Sequence, residues 1–227
     1  MSAIPYRIRR SQRAQRARIL VGGEGVEVVV PPRFPLSEVE PFVEEKRAWI
    51  ERTLRRMEET DAELPPARLA DGGEVPYLGR RLRLAVRVEA QRVREHASLR
   101  EDTLAVALPP GAPLGDAVER WYRRCAREEV APLLDAACAR AGTAYSGLQI
   151  RGQRTRWASC SSTGVMSFNW RLLLAPQAIL EYVVEHEVAH LQVLDHSQSF
   201  WALLASRCPD WKSREAWLRR HGHALHL

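Results

Sequence analysis

Lysine is nearly missing from this chain. Of its 34 basic residues only Lys46 and Lys212 are lysines, and the others are arginines. A GC-rich coding sequence would give the same bias, so the net charge of +6 permits an anion-binding role without requiring one. Cysteine is also scarce. Cys125, Cys138, Cys160 and Cys208 form no C-x-x-C pair and share no regular spacing, which excludes a disulfide framework or a cysteine-built zinc site and fits a reducing compartment. Apolar runs of membrane-spanning length are absent. The first twenty residues carry six arginines and no stretch of signal-peptide length, so the expectation is a cytoplasmic protein without a membrane partner. There is no P-loop, no internal repeat and no low-complexity segment.

What is present is an ordinary folding composition: 227 residues, 45% hydrophobic and 27% charged. The patterning predicts an α+β fold. Tyr6 and Ile8 alternate with arginines, and Val26, Val28 and Val30 follow a turn at Gly22 and Gly23, so both runs read as strands. Ser37 and Glu40 suggest a capping box opening one amphipathic helix over about 37–60. Residues 64–73 form a Pro/Gly-rich loop and a first candidate boundary, and strands resume at 82–88 and 104–108. A long helix follows, with Pro132 inside it as an expected kink and Gly142 at its end. Residues 148–174 read as strand, with a hairpin turn near 161–164. The expected division is a strand-rich N-terminal region, 1–110, and a second domain, 111–227.

The chemistry is concentrated near the C-terminus, where His186-Glu187-Val188-Ala189-His190 is followed by His196. On a helix, positions i and i+4 share a face about 6 Å apart, close enough for two imidazoles to hold one Zn²⁺. Glu187, beside them, is placed to take a proton from an attacking water. Ile179, Val183, His186 and His190 lie on one stripe of a helix that begins at Pro176, so the histidines extend a buried face. On a continuous helix His196 would point about 120° away from His190. The helix must therefore stop, with Asp195 as breaker and Ser197 capping a next helix that carries Phe200, Trp201, Leu203 and Leu204. The turn can then bring His196 back, giving three histidines and one open position, the arrangement of a catalytic zinc.

The chain resembles the YgjP-like metallopeptidases, relatives of the SprT-like and minigluzincin groups, over nearly its whole length. The resemblance is carried by Arg10-Ser11, the strand ending at Pro31, Trp49-Ile50, and the helix from Trp121. It continues through Arg156-Trp157-Ala158-Ser159-Cys160, Phe168-Asn169, Tyr182-Val183-Val184 and His186 through Trp201. Ala158 departs from the glycine common before the Ser-Cys pair. The resemblance implies a zincin-like C-terminal domain, with an H-E-x-x-H helix and a short antiparallel sheet, packed on the N-terminal region. It implies zinc on His186, His190 and His196, Glu187 as general base and acid, and a rim strand of Trp157, Ser159 and Cys160 that accepts an extended peptide by β-augmentation.

Other residues admit two uses. Asn169 either hydrogen-bonds substrate or satisfies local backbone. Arg154 and Arg156 could bind an anionic group or remain solvated. Cys160 reads as a buried, inert thiol, Glu215 as a solvated helix residue, and His221, His223 and His226 as a frayed end. The leading expectation is a zinc-dependent peptidase acting on peptides or unfolded protein segments. The alternatives are a metal-dependent nucleotide phosphohydrolase at the same site, and a nucleic-acid-associated protein using Arg7, Arg9, Arg10, Arg13, Arg16 and Arg18 for phosphate contacts.

Overall fold

The computed structural model describes residues 4–22, 25–153 and 155–227, so Gly23 and Arg154 lie outside the described residues. These form an α+β fold with three small sheets and six α-helices. No described helix is long and apolar enough to cross a membrane. The chain divides into two compact units at Pro65/Pro66.

The first unit holds β1 (Tyr6–Arg10), β2 (Arg18–Gly22) and β3 (Gly25–Val30) in the order β1-β3-β2, with β1 parallel and β2 antiparallel to β3. The alternation in β3 sends Val26, Val28 and Val30 into a core with Val39, Val43 and Ile50. Each such burial contributes roughly 1.5–3 kcal/mol. The expected helix over 37–60 is interrupted. A 3-10 turn leads into α1 (Val39–Glu45), and α2 (Arg47–Glu63) follows after a break at Lys46. No side chain caps these starts, so the expected capping box does not form. The apolar spacing carries across the break, since Val43 and Ile50 are two helical turns apart. The basic segment is partly structural: Arg9 Nε and Nη2 each lie 3.0 Å from the Glu27 carboxylate. Val29, paired in register with Arg9 and Arg18, is buried on the opposite face.

The second unit contains β4 (Glu74–Tyr77), β5 (Arg80–Val88), β6 (His96–Arg100) and β7 (Thr103–Leu108), ordered β4-β5-β7-β6. The patterning showed β5 and β7 but not β4 and β6. The division therefore falls at the 64–73 loop rather than at 110. The inward residues of this sheet, Val75, Leu82, Leu84, Leu104 and Val106, share one core with α3 (Leu114–Ala141) and the histidine helix. α3 runs through Pro132 and ends where Gly142 adopts φ 62°, with Thr143 N–H bonded to Cys138 O at 3.1 Å.

The third sheet is β8 (Gly147–Arg151), β10 (Val165–Asn169) and β9 (Ala158–Cys160), in that order. It is antiparallel only in the β9–β10 hairpin, because β8 runs parallel to β10. The strand ends at Asn169. Residues Trp170–Leu174, expected as strand, form a 3-10 turn whose Asn169 side chain accepts from Arg171 N–H. α4 (Gln177–His190), α5 (Gln198–Arg207) and α6 (Trp211–His221) complete the unit. The C-terminus does not fray: His221 stacks on Trp217 with centroids 4.5 Å apart, and Leu225 is buried.

Candidate metal centre

α4 is apolar almost all round, which makes it a core helix and makes its polar residues conspicuous. Ile179, Leu180, Val183, Val184, Val188 and Ala189 are all buried, and Glu187 beside them is only 5% exposed. The helix stops at His190, as the placement of His196 demands. The Asp195 carboxylate accepts the Ser197 N–H at 3.3 Å, and α5 starts directly after Ser197.

That reversal brings three rings to one point. Nε2 of His196 lies 3.2 Å from Nε2 of His190 and 3.0 Å from Nε2 of His186. Tetrahedral sites with metal–nitrogen bonds of about 2.05 Å have ligand edges of about 3.3 Å, so the spacing fits a single ion. Among the described residues, these three are the group placed to hold one; Glu215 is not part of it. His190 Nδ1 lies 3.1 Å from Val193 O, so the proton sits on Nδ1 and Nε2 presents a lone pair. Burial pushes His186 down to about 4, with His190 and His196 adding to the effect, and burial also lowers His190. Both rings are thereby held neutral, the ligating form. His186 Nδ1 is buried without a hydrogen-bond partner, so packing orients this ring. Tyr182, Phe200 and Trp201 surround it at centroid distances of 5.9, 4.9 and 6.1 Å.

Burial pushes the Glu187 carboxyl up to about 7, opposed by a hydrogen bond from the Cys160 backbone N–H. Oε2 is buried and has no partner, leaving the carboxylate one oxygen anchored and one available for a proton. The anchoring amide belongs to the edge strand β9. Trp157 O accepts from Asn169 N–H at 2.7 Å and Ser161 N–H donates to Val165 O at 3.0 Å, so residues 157, 159 and 161 turn their backbone groups toward β10. Ala158 and Cys160 turn theirs to the outer edge.

A family model described as YgjP-like, metallopeptidase domain, matches residues 15–221. The chain belongs to the YgjP-like metallopeptidase family. It is therefore a peptidase, a hydrolase with peptide substrates and a metal cofactor. Among solved structures, this YgjP-like peptidase is similar to the metallopeptidase zymogen of Pyrococcus abyssi abylysin at 26% identity, with 39% of this chain and 90% of that chain covered and a TM-score of 0.37. No curated protein matches.

The structure separates the residues grouped as a substrate rim. The backbones of Trp157 and Ser159 serve β10, and the outward pair is Ala158 and Cys160. The Trp157 ring packs on the C-terminal turn, where a Cβ added to Gly222 would lie 2.9 Å from Cζ2. The Cys160 thiol is half-buried, donates to Ser161 O and is pushed upward by burial and by Glu187, so it is held as a neutral thiol. Asn169 takes the second of its two uses. Its Nδ2 donates to Gln153 O at 2.7 Å and Arg156 O at 3.1 Å, and its Oδ1 accepts from Arg171 N–H at 3.1 Å. The side chain has no donor left for substrate, and instead fixes the loop that launches β9. Asn169→Ala is expected to cost about 2–3 kcal/mol in urea denaturation, because three part-buried hydrogen bonds from one side chain to the backbone are lost together. Phe200 and the Cys160 amide were missed by sequence reasoning as site components. The position of Phe200 inside the motif that begins at His196 was the available signal.

Proposed function

We propose that this chain is a zinc endopeptidase in which His186, His190 and His196 hold the metal and Glu187 is both general base and general acid. The observation that carries the proposal is the convergence of three Nε2 atoms beside a buried carboxylate anchored by one oxygen. Bound zinc would lower the pKa of the attacking water toward ~7 and polarise the scissile carbonyl. Glu187 takes the water proton on its unpartnered oxygen. It then delivers that proton to the leaving nitrogen, so one carboxyl serves both steps. The Cys160 N–H keeps the carboxyl group aimed throughout.

The outer edge of β9 supplies substrate binding. Main-chain groups of Ala158 and Cys160 face away from β10, so an extended peptide or unfolded segment can pair there as a further strand. Recognition through backbone groups selects extended chains and excludes folded ones, whose own backbone groups are already paired.

The test is a diverse peptide library read by mass spectrometry, with the protein zinc-loaded, chelated, and chelated then resupplied. Cleavage should stop on chelation and return with zinc. Cleavage that persists in the metal-free protein, or a zinc-loaded protein that cuts nothing, would overturn the proposal.

A further inference from the structure

The three histidines are not held alike. His186 and His190 stand on α4, whereas His196 lies in the reversal between α4 and α5 and is exposed. A histidine that ligates a metal is normally aimed by a hydrogen bond at its second nitrogen. His190 has that bond, to Val193 O at 3.1 Å, and His186 is packed from several sides. His196 has no such bond: among the described residues nothing accepts from or donates to its Nδ1, and its Nε2 meets only the other two rings. Its aim must come from elsewhere.

What lies against His196 is a stack of rings. The indole of Trp201 is 28° from its plane with centroids 5.5 Å apart, and Trp211 is 20° from the plane of Trp201 at 4.5 Å. His196, Trp201 and Trp211 thus form a ladder that leads from the histidine cluster to α6. The foot of the ladder is fixed. Trp211 is the first residue of α6, the preceding Asp210 accepts from Arg214 Nε at 2.8 Å, and Arg214 Nη1 donates to Ala178 O at 2.9 Å. Ala178 is in the first turn of α4, so the ladder is footed on the same helix that carries the other two histidines.

We propose that Trp201 and Trp211 are positioning residues for the metal, a stacked support that sets the plane of His196 and with it the aim of Nε2. The proposal rests on the zinc reading given above. The support also answers to charge. A bound metal draws electron density out of an imidazole, and the face of an indole is electron-rich, so the contact between Trp201 and His196 is stronger with the ion in place than without it. A contact of that kind raises metal affinity and does more than stabilise the fold.

Trp211 gives the sharpest test, because among the described residues it stacks on Trp201 and on none of the three histidines. It is also half-buried, and Trp211→Leu and Trp211→Met both remove the flat ring, so one folded variant suffices. In the full-length protein, competitive chelator titration should show zinc bound about tenfold more weakly. The visible absorption of the cobalt-substituted protein, which reads the geometry of the ligands, should change in the same variant. Trp211→Phe keeps a flat face and should restore both readings. Trp217→Leu is the matched control, since Trp217 also lies on α6 and stacks on His221 at 4.5 Å and 18°. It should lower stability and leave zinc affinity and the cobalt spectrum as in the wild type. Wild-type affinity and spectrum in the ring-deleted variant, an equal loss of affinity in Trp217→Leu, or a folded Trp211→Phe that recovers neither reading would each overturn the proposal. A wild-type protein that takes up neither ion is a separate result, which removes the zinc reading itself and the ladder's role with it.

Discussion

Glu187→Gln should lower peptide turnover by about a thousandfold while leaving metal content unchanged. The substitution keeps shape and volume in a position that is 5% exposed, and its amide oxygen can still accept the Cys160 N–H. What it loses is the ability to take up a proton and release it. The loss should appear in kcat, with KM little changed, because in the proposed mechanism the residue handles the reacting water and not the peptide backbone along β9. Metal content measured alongside turnover separates this from a damaged site. A variant that keeps its zinc and a tenth of its turnover would remove Glu187 from the role of base.

Phe200→Ala carries the second large effect, and it acts on folding and on the metal together. The ring is fully buried and stacks on His190 at a centroid distance of 4.5 Å and 28°. It meets His186 and His196 edge-on at 4.9 and 4.8 Å. One side chain therefore backs all three rings. Truncation should cost about 3–5 kcal/mol of stability, through lost burial and a residual cavity. Metal affinity should fall about 10- to 100-fold, as when other groups that orient ligands are removed. Phe200→Leu keeps most of the volume but no flat face. If it recovers most of the stability and little of the affinity in a competitive metal titration, the flat ring is what orients the histidines. Equal recovery of both would reduce Phe200 to a core residue.

These two predictions rest on parts of the molecule that were unequally legible in the sequence. The histidines were readable because helical periodicity is rigid: once His186 and His190 share a face, His196 can join them only if α4 ends, and the helix does end at His190. The β9–β10 hairpin was readable from its turn chemistry, with Gly164 at φ 77°. The pairing partners were not. β8 lies parallel to β10, a relation made by long-range packing that no local pattern records. β4 and β6 were hidden because each is a short edge strand whose alternation is weak in isolation. The boundary was misplaced for a related reason: a Pro/Gly cluster marks 109–111 as strongly as 64–73, and only the shared core of β4–β7 with α3 decides between them. Asn169 was open between two uses because its partners, Gln153 O and Arg156 O, are groups that every residue has.

If substrate binds along β9 as proposed, the brevity of that strand sets the measure of what the peptidase can inspect. With three residues and only Ala158 and Cys160 facing outward, and one of those amides already spent on Glu187, the edge is a ruler with two marks. A substrate laid against it would be gripped over a span of about 7 Å. Such a grip reads that the chain is extended and says little about which chain it is, so the choice of target must be made by encounter, abundance or exposure more than by a preferred cleavage motif.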